Sequence, residues 1–413
     1  MNADPIFTGE TASAGEEWRR HWRVVLGCSL GMATCYSAFS YVASLFVQPL
    51  EHAFGWTRGQ QALSHNANLV AALAAPFIGA LIDRKGVRTI LLPAILALAA
   101  IYCLLAMLAP AIWTYYAAMS GLALIGMATT GLSYTRAVTS WFVRSRGLAL
   151  AASRLGLAGA GAVLPLAVYS AIGHFGFSGG YLVLACATLL IALPVSWLLV
   201  VERRAVQPSG APIAEPAWRQ WPKLLRDRRI LLLCLACGLT YGPAVGLLTQ
   251  LQPLLVSKGL QAGAAARLIS LLSLSVFAGT LVTGAIVDRI WAPLLGFLFT
   301  AGPVAGCALL FFQPHPDAAS AAAAVVLMGL AQGAEIDLIG YLVARYFGLR
   351  AFAAIYGLTV AAIGICSALG AMTIGQSYDR FGSYDTALAG AAACFLVAAF
   401  AYLGLGRYPA QPD

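Results

Sequence analysis

Charge is scarce in this sequence. Lys, Arg, Asp and Glu make up 10% of its 413 residues, against roughly a quarter in a soluble domain. A surface that faces water on every side cannot be built from so few charges. Acidic residues are the scarcer sign, 16 against 25 Lys and Arg. The basic excess lies in short loops rather than on one face, which argues against a nucleic-acid partner. No apolar run precedes Val24, so no cleavable signal is expected and the first membrane segment serves as the insertion signal. No His, Asp and Glu group has metal-ligand spacing, and neither a nucleophile elbow nor a soluble catalytic stretch occurs. The nine cysteines fall inside apolar blocks. Cys234 and Cys237 form a C-x-x-C, but in mid-block, where packing is the plain reading. No disulfide, metal, cofactor or catalytic residue is expected, and the chain does not read as an enzyme.

What fills the sequence is apolar. Hydrophobic residues make up 60%, and mean hydropathy is +0.81. They come in blocks of about twenty or more, enough to cross ~30 Å of hydrocarbon at 1.5 Å per residue. Twelve can be read: Arg23–Gln48, Gln60–Ile82, Thr89–Ala109, Ile112–Trp141, Gly147–Ile172, Gly180–Val201, Arg229–Val256, Ala264–Val287, Trp291–Phe312, Ala318–Phe347, Phe352–Ser377 and Tyr384–Gly406. The longest polar stretch, 202–228, carries Pro208, Pro212 and Pro216 and reads as a linker. The expected organisation is a tail (1–22), a six-helix bundle (23–201), the linker (202–228), a second six-helix bundle (229–406) and a short tail (407–413). With both termini in the cytoplasm, inner segments hold 19 Lys and Arg, outer segments hold four (Arg58, Lys258, Arg267, Arg380), and Arg136 and Arg154 lie within helices. The positive-inside rule selects that orientation.

The two halves repeat. Gly79-Ala-Leu-Ile-Asp83-Arg84 returns as Gly284-Ala-Ile-Val-Asp288-Arg289, an offset of 288 − 83 = 205. Phe142 returns as Phe347, and 347 − 142 is again 205. Parallel duplicated halves are a transporter architecture, with substrate bound near the midplane between them.

The stretch from Gly79 to Arg88 resembles the G-x-x-x-D-R-x-G-x-R signature of the major facilitator superfamily. That resemblance implies an all-α membrane fold of twelve helices in two pseudo-symmetric bundles. It also implies a cytoplasmic gate formed by Gly79, Asp83, Arg84, Gly86, Arg88, Asp288 and Arg289. Gly79 is expected to let helix 2 approach a neighbour, Asp83 to accept charge-assisted bonds, and Gly86 to permit the turn. Phe54-Gly55-Trp56-Thr57-Arg58, Arg146-Gly147-Leu148-Ala149 and Arg345-Tyr346-Phe347-Gly348 are similar to the bacterial oxalate/formate and monocarboxylate branch. A bacterial inner membrane follows from that branch. Its members place an anion-binding cation on helix 8 or 11, yet neither 268–287 nor 353–377 holds a Lys or Arg here.

Ionisable residues inside the membrane are costly and therefore functional candidates. Glu335 lies about ten residues from the inner end of helix 10, near the midplane. Asp337 is roughly 200° further round, so the two carboxyls cannot share a face; at least one is a candidate for proton coupling. Arg154 shares a face of helix 5 with Ala158, Gly161 and Pro165, leaving room for a guanidinium to bind a carboxylate. Arg136, nearer the cytoplasmic end, reads as a structural charge. Tyr36, Tyr134, Tyr241, Gln250 and Tyr341 lie on helices that line the cavity in the superfamily and join Arg154 as candidate substrate contacts. The expected activity is alternating-access transport of a small organic anion, coupled to protons. The alternative is a proton-driven exporter of drugs or metabolites. The expected partners are a small-molecule substrate, protons and the lipid bilayer, and the chain is expected to be a monomer.

Overall fold

A computed structural model describes residues 14–142, 145–202, 224–347 and 352–408. The side chains of Asp83, Arg146 and Asp337 are among those outside the described set. No strand occurs among the described residues, as expected where hydrocarbon offers the backbone no partner outside its own helix. Among the described residues, eight helices are long and apolar enough to span a membrane, or nine with one bent pair counted as a span. The stretch 148–199 holds two spans, and two further helices are interrupted, which brings the total to the expected twelve.

Helix α1 (14–54) bends by 46° between Phe39 and Ala43. Helix α2 (58–85) contains a tight turn at Ser64–Asn66, and α3 is Val87–Ala106. In α4 (112–141), Ile112–Gly126 and Gly131–Trp141 flank a turn at Met127–Thr129. Helices α5 (146–175) and α6 (177–199) are joined at Gly176 alone, whose φ of 66° is left-handed. The polar loop expected between 172 and 180 is absent; one glycine turns the chain instead. After the linker, α7 (228–257) breaks at Gln250 between Arg228–Thr249 and Leu251–Ser257. The last five are α8 (Ala262–Ile286), α9 (Ala292–Phe312), α10 (Ala318–Phe347), α11 (Phe352–Phe381) and α12 (Asp385–Leu403).

The repeat seen in the sequence is a repeat in packing. In the first half α1 packs on α5, α2 on α4 and α3 on α6; in the second, α7 packs on α11, α8 on α10 and α9 on α12. Small residues set the closest approaches. A methyl on Gly156 would strike the Ser29 carbonyl, and one on Gly333 the Val276 carbonyl. Large apolar side chains such as Phe77, Trp197, Phe312 and Phe400 remain exposed. In water that surface would drive aggregation; against lipid tails it is neutral.

Candidate functional site

Among the described residues, the closest contacts between the halves lie from mid-membrane to one end. The end that holds Arg58 and Lys258 is called outer and the Asp83 end inner, following the charge count. At the outer end α2 meets α11: a methyl on Gly375 would lie 2.8 Å from Ala62 Cβ and 2.9 Å from the Arg58 carbonyl oxygen. Helix α5 meets α8 from mid-membrane outward. Gly161 is pressed against Ser273 and the Tyr41 ring, and Gly263 lies beside Tyr169. Arg154 lies on α5 toward the inner end and is exposed there. It lies seven residues before Gly161, about 10 Å along α5 and within roughly 20° of the same face. That face packs on α8 further out, at Gly161 and Ser273.

The inner end of the first half is strapped together within itself. Arg88 donates from Nε to the Val200 carbonyl at 2.6 Å. The Val87 amide donates to Glu202 Oε2 at 2.8 Å, and Arg136 forms an ion pair with Glu202 Oε1. Trp141 Nε1 donates to the Val201 carbonyl at 2.7 Å. Arg136 is thus paired with the carboxylate at the end of α6. Gly86 has φ 87° and ψ 156°, a conformation that requires glycine. The expected close approach at Gly79 is not found: a methyl there would meet nothing within 4 Å. Arg88 binds α6 of its own half rather than bridging to the other. Arg84 is exposed at this turn, and the Asp83 side chain lies outside the described residues. In the second half Asp288 and Arg289 are likewise exposed. Tyr341 lies beside Asp288, Arg345 and Tyr408, near the inner rim rather than the midplane.

Glu335 is buried, but inside the second bundle. Its Oε1 accepts from the Tyr402 hydroxyl of α12 at 3.2 Å, and the Thr240 hydroxyl of α7 lies beside the carboxyl. It lines a cavity with Thr240, Gln332, Pro303, Met328 and Phe395. The Asp337 side chain lies outside the described residues. Tyr241 is buried in the core of the same bundle. Tyr134 is fully buried in the first bundle, its ring against Gly31 and its hydroxyl 3.2 Å from Ser196 Oγ. That position removes it from the interface between the halves. Tyr36 is half-buried; it lies over Gly126 and donates to Asn68 Oδ1. Gln250, read as a substrate contact, accepts from Tyr384 at 2.9 Å in the closed outer end. The structure therefore does not gather the candidate polar residues into one cluster. Arg154 is exposed on α5, Glu335 lies inside the second bundle, and Gln250 lies at the outer closure.

Sequence reasoning misses Arg58, Asp379 and Tyr384, which meet across the halves at that closure. In the sequence Arg58 counts as an outer loop charge and as the end of the Phe54–Arg58 stretch, with no partner across the halves assigned to it. A signal is present: Thr57 and Gln60 have capping-box spacing, and they form that reciprocal pair at the start of α2.

The comparisons with known proteins bear on the whole chain. Its residues 28–371 match the family model described as Major Facilitator Superfamily. An MFS-type transporter of Gibberella moniliformis is 25% identical over 407 residues, which cover 94% of this chain and 91% of that protein. Among solved structures, the nucleoside transporter NupG superposes with a TM-score of 0.76 at 13% identity, covering 94% of this chain and 99% of NupG. A bacterial homolog of the human lysosomal transporter Spinster, solved inward-facing and unoccupied, gives 0.71 at 16% identity, covering 97% of this chain and all of that one. On the family match over most of its length, with twelve helices in two repeated bundles, the chain belongs to the Major Facilitator Superfamily.

Proposed function

We propose that this transporter moves a small organic anion, monocarboxylate-like in chemistry, by alternating access coupled to protons. The observation that carries the reading is Arg154, an exposed permanent cation on α5 within roughly 20° of the face that meets α8 at Gly161. A guanidinium at that depth would bind a carboxylate through two parallel hydrogen bonds. With the outer end closed and the inner end in the cytoplasm, this is read as the inward-open state. The α2–α11 pairing sets Gly59 near Gln376 and Ala62 near Gly375. Continued inward, that register brings Gly79 opposite residue 357, so the close approach at Gly79 belongs to the outward-open state.

Glu335 supports the coupling half of the reading. Its carboxyl is buried beside the Tyr402 and Thr240 hydroxyls with no cation among its described neighbours, which makes it the group proposed to carry the proton. Asp337 is the other carboxyl to test. Substrate and proton would then bind in different halves, Arg154 in the first and Glu335 in the second. The test is uptake of oxalate, formate and lactate into proteoliposomes, with and without an inward pH gradient. Gradient-dependent accumulation of one of them is the expected result. Extrusion of uncharged or cationic compounds, with no carboxylate uptake, would replace this reading by the exporter.

A further inference from the structure

The outer closure is built around one buried arginine. Arg58 is 6% exposed. Its Nη1 donates to Tyr384 Oη at 2.9 Å, and its guanidinium lies 3.6 Å from the centre of the Tyr378 ring. Both tyrosines belong to the other half. Beside it, the amides of Arg58 and Gly59 donate to Asp379 at 3.1 and 2.8 Å, so a carboxylate at the end of α11 caps the start of α2. Tyr384 in turn donates to Gln250, the residue at which α7 breaks.

The charge arithmetic makes this closure breakable. Arg58 also donates from Nε to Glu51 Oε2 at 3.2 Å, and Glu51 lies in its own half. When the halves part, Arg58 keeps its counter-charge. Asp379 is exposed and returns to water. No charge is stranded in low dielectric, the outcome that makes a lone buried pair so hard to separate. Parting the halves breaks a hydrogen bond, a cation–ring stack and a charged cap, each modest and additive in direction.

We infer that Arg58, Asp379, Tyr378 and Tyr384 form a reversible latch that holds the outer end shut. By fixing Gln250, the latch also sets the broken form of α7. This inference rests on alternating access and adds what stabilises one of the two states. Loss of one charge-assisted bond is expected to shift the ratio of states by roughly tenfold or more.

The experiment is backbone hydrogen–deuterium exchange of the full chain in lipid nanodiscs, comparing the parent with Asp379→Asn, Tyr384→Phe and Gly161→Ala. Tyr384→Phe leaves the Asp379 cap in place, so a local loss of capping cannot explain its effect. Gly161→Ala forces the halves apart at the α5–α8 crossing without touching the latch. Under the latch, both latch variants speed exchange in peptides over 56–64 and 376–384 and slow it at the inner turn, 84–90. If Gly161→Ala couples the two ends while neither latch variant does, the latch is wrong and alternating access stands. If no variant couples them, alternating access fails and the latch falls with it.

Discussion

Gly161→Ala puts the rocking of the halves to a quantitative test. A methyl at this position would stand 2.6 Å from both Cβ and Oγ of Ser273, and 3.3 Å from the Tyr41 ring. Carbon atoms settle at about 3.5–4.0 Å, so α5 and α8 must move apart by roughly 1 Å. The Ser273 hydroxyl can rotate away, but its Cβ cannot. Overpacking of this size costs about 1–3 kcal/mol. Because the two helices belong to different halves, the strain is relieved by moving one half against the other. The expected result is a shift of about 5- to 150-fold away from the state described here. Two glycines on the same helix serve as controls. A methyl on Gly156 collides with the Ser29 carbonyl of α1, inside one half, so Gly156→Ala should lower the unfolding temperature and switch nothing. A methyl on Gly159 meets nothing within 4 Å, so Gly159→Ala should be neutral or gain up to about 1 kcal/mol. Exchange at the two ends, with a thermal melt, separates the three. The reasoning is refuted if Gly161→Ala melts early like Gly156→Ala and leaves the exchange pattern unchanged.

Three further outcomes are expected. Arg136→Gln should cost on the order of 1–2 kcal/mol in a melt, since its pair with Glu202 is only partly buried, and should leave transport per folded molecule intact. Asp83→Asn should insert normally but slow turnover, measured as initial uptake per inserted molecule; unchanged turnover leaves Asp83 as a topology residue. A cysteine replacing Ser209 should escape a membrane-impermeant maleimide added to intact cells, and labelling there would invert the proposed topology.

The helices are legible because hydrocarbon demands long apolar blocks, and the repeat because Asp83 and Asp288 keep one spacing. The junction of α5 and α6 is not: Gly173, His174 and Ser178 look like a loop, yet the chain stays helical on both sides of Gly176. Arg136 reads as a structural charge, but its partner, Glu202, is 66 residues away and no local pattern points to it. Depth along a helix can be read from a count, and this puts Glu335 near the midplane. Which helices surround it cannot, and α7 and α12 enclose it within one bundle. Gln250 shows the same limit. A polar residue in an apolar helix signals a partner, but here the partner is Tyr384 rather than a substrate. Arg58 is hidden by its class, since an outer basic residue beside a capping box looks like ordinary loop chemistry.

The central claim is that a fixed cation binds the anion while a titratable carboxyl couples it to protons. Reconstituted parent, Arg154→Gln and Glu335→Gln proteins, each given a labelled carboxylate that the parent accumulates, test it most directly. Exchange without a gradient reports binding and crossing; accumulation under an inward pH gradient reports coupling. Arg stays protonated throughout, whereas a buried Glu can gain and lose its proton. Arg154→Gln is expected to lose both activities, and Glu335→Gln to keep exchange and lose accumulation. Undiminished exchange by Arg154→Gln, or full uphill accumulation by Glu335→Gln, would contradict it.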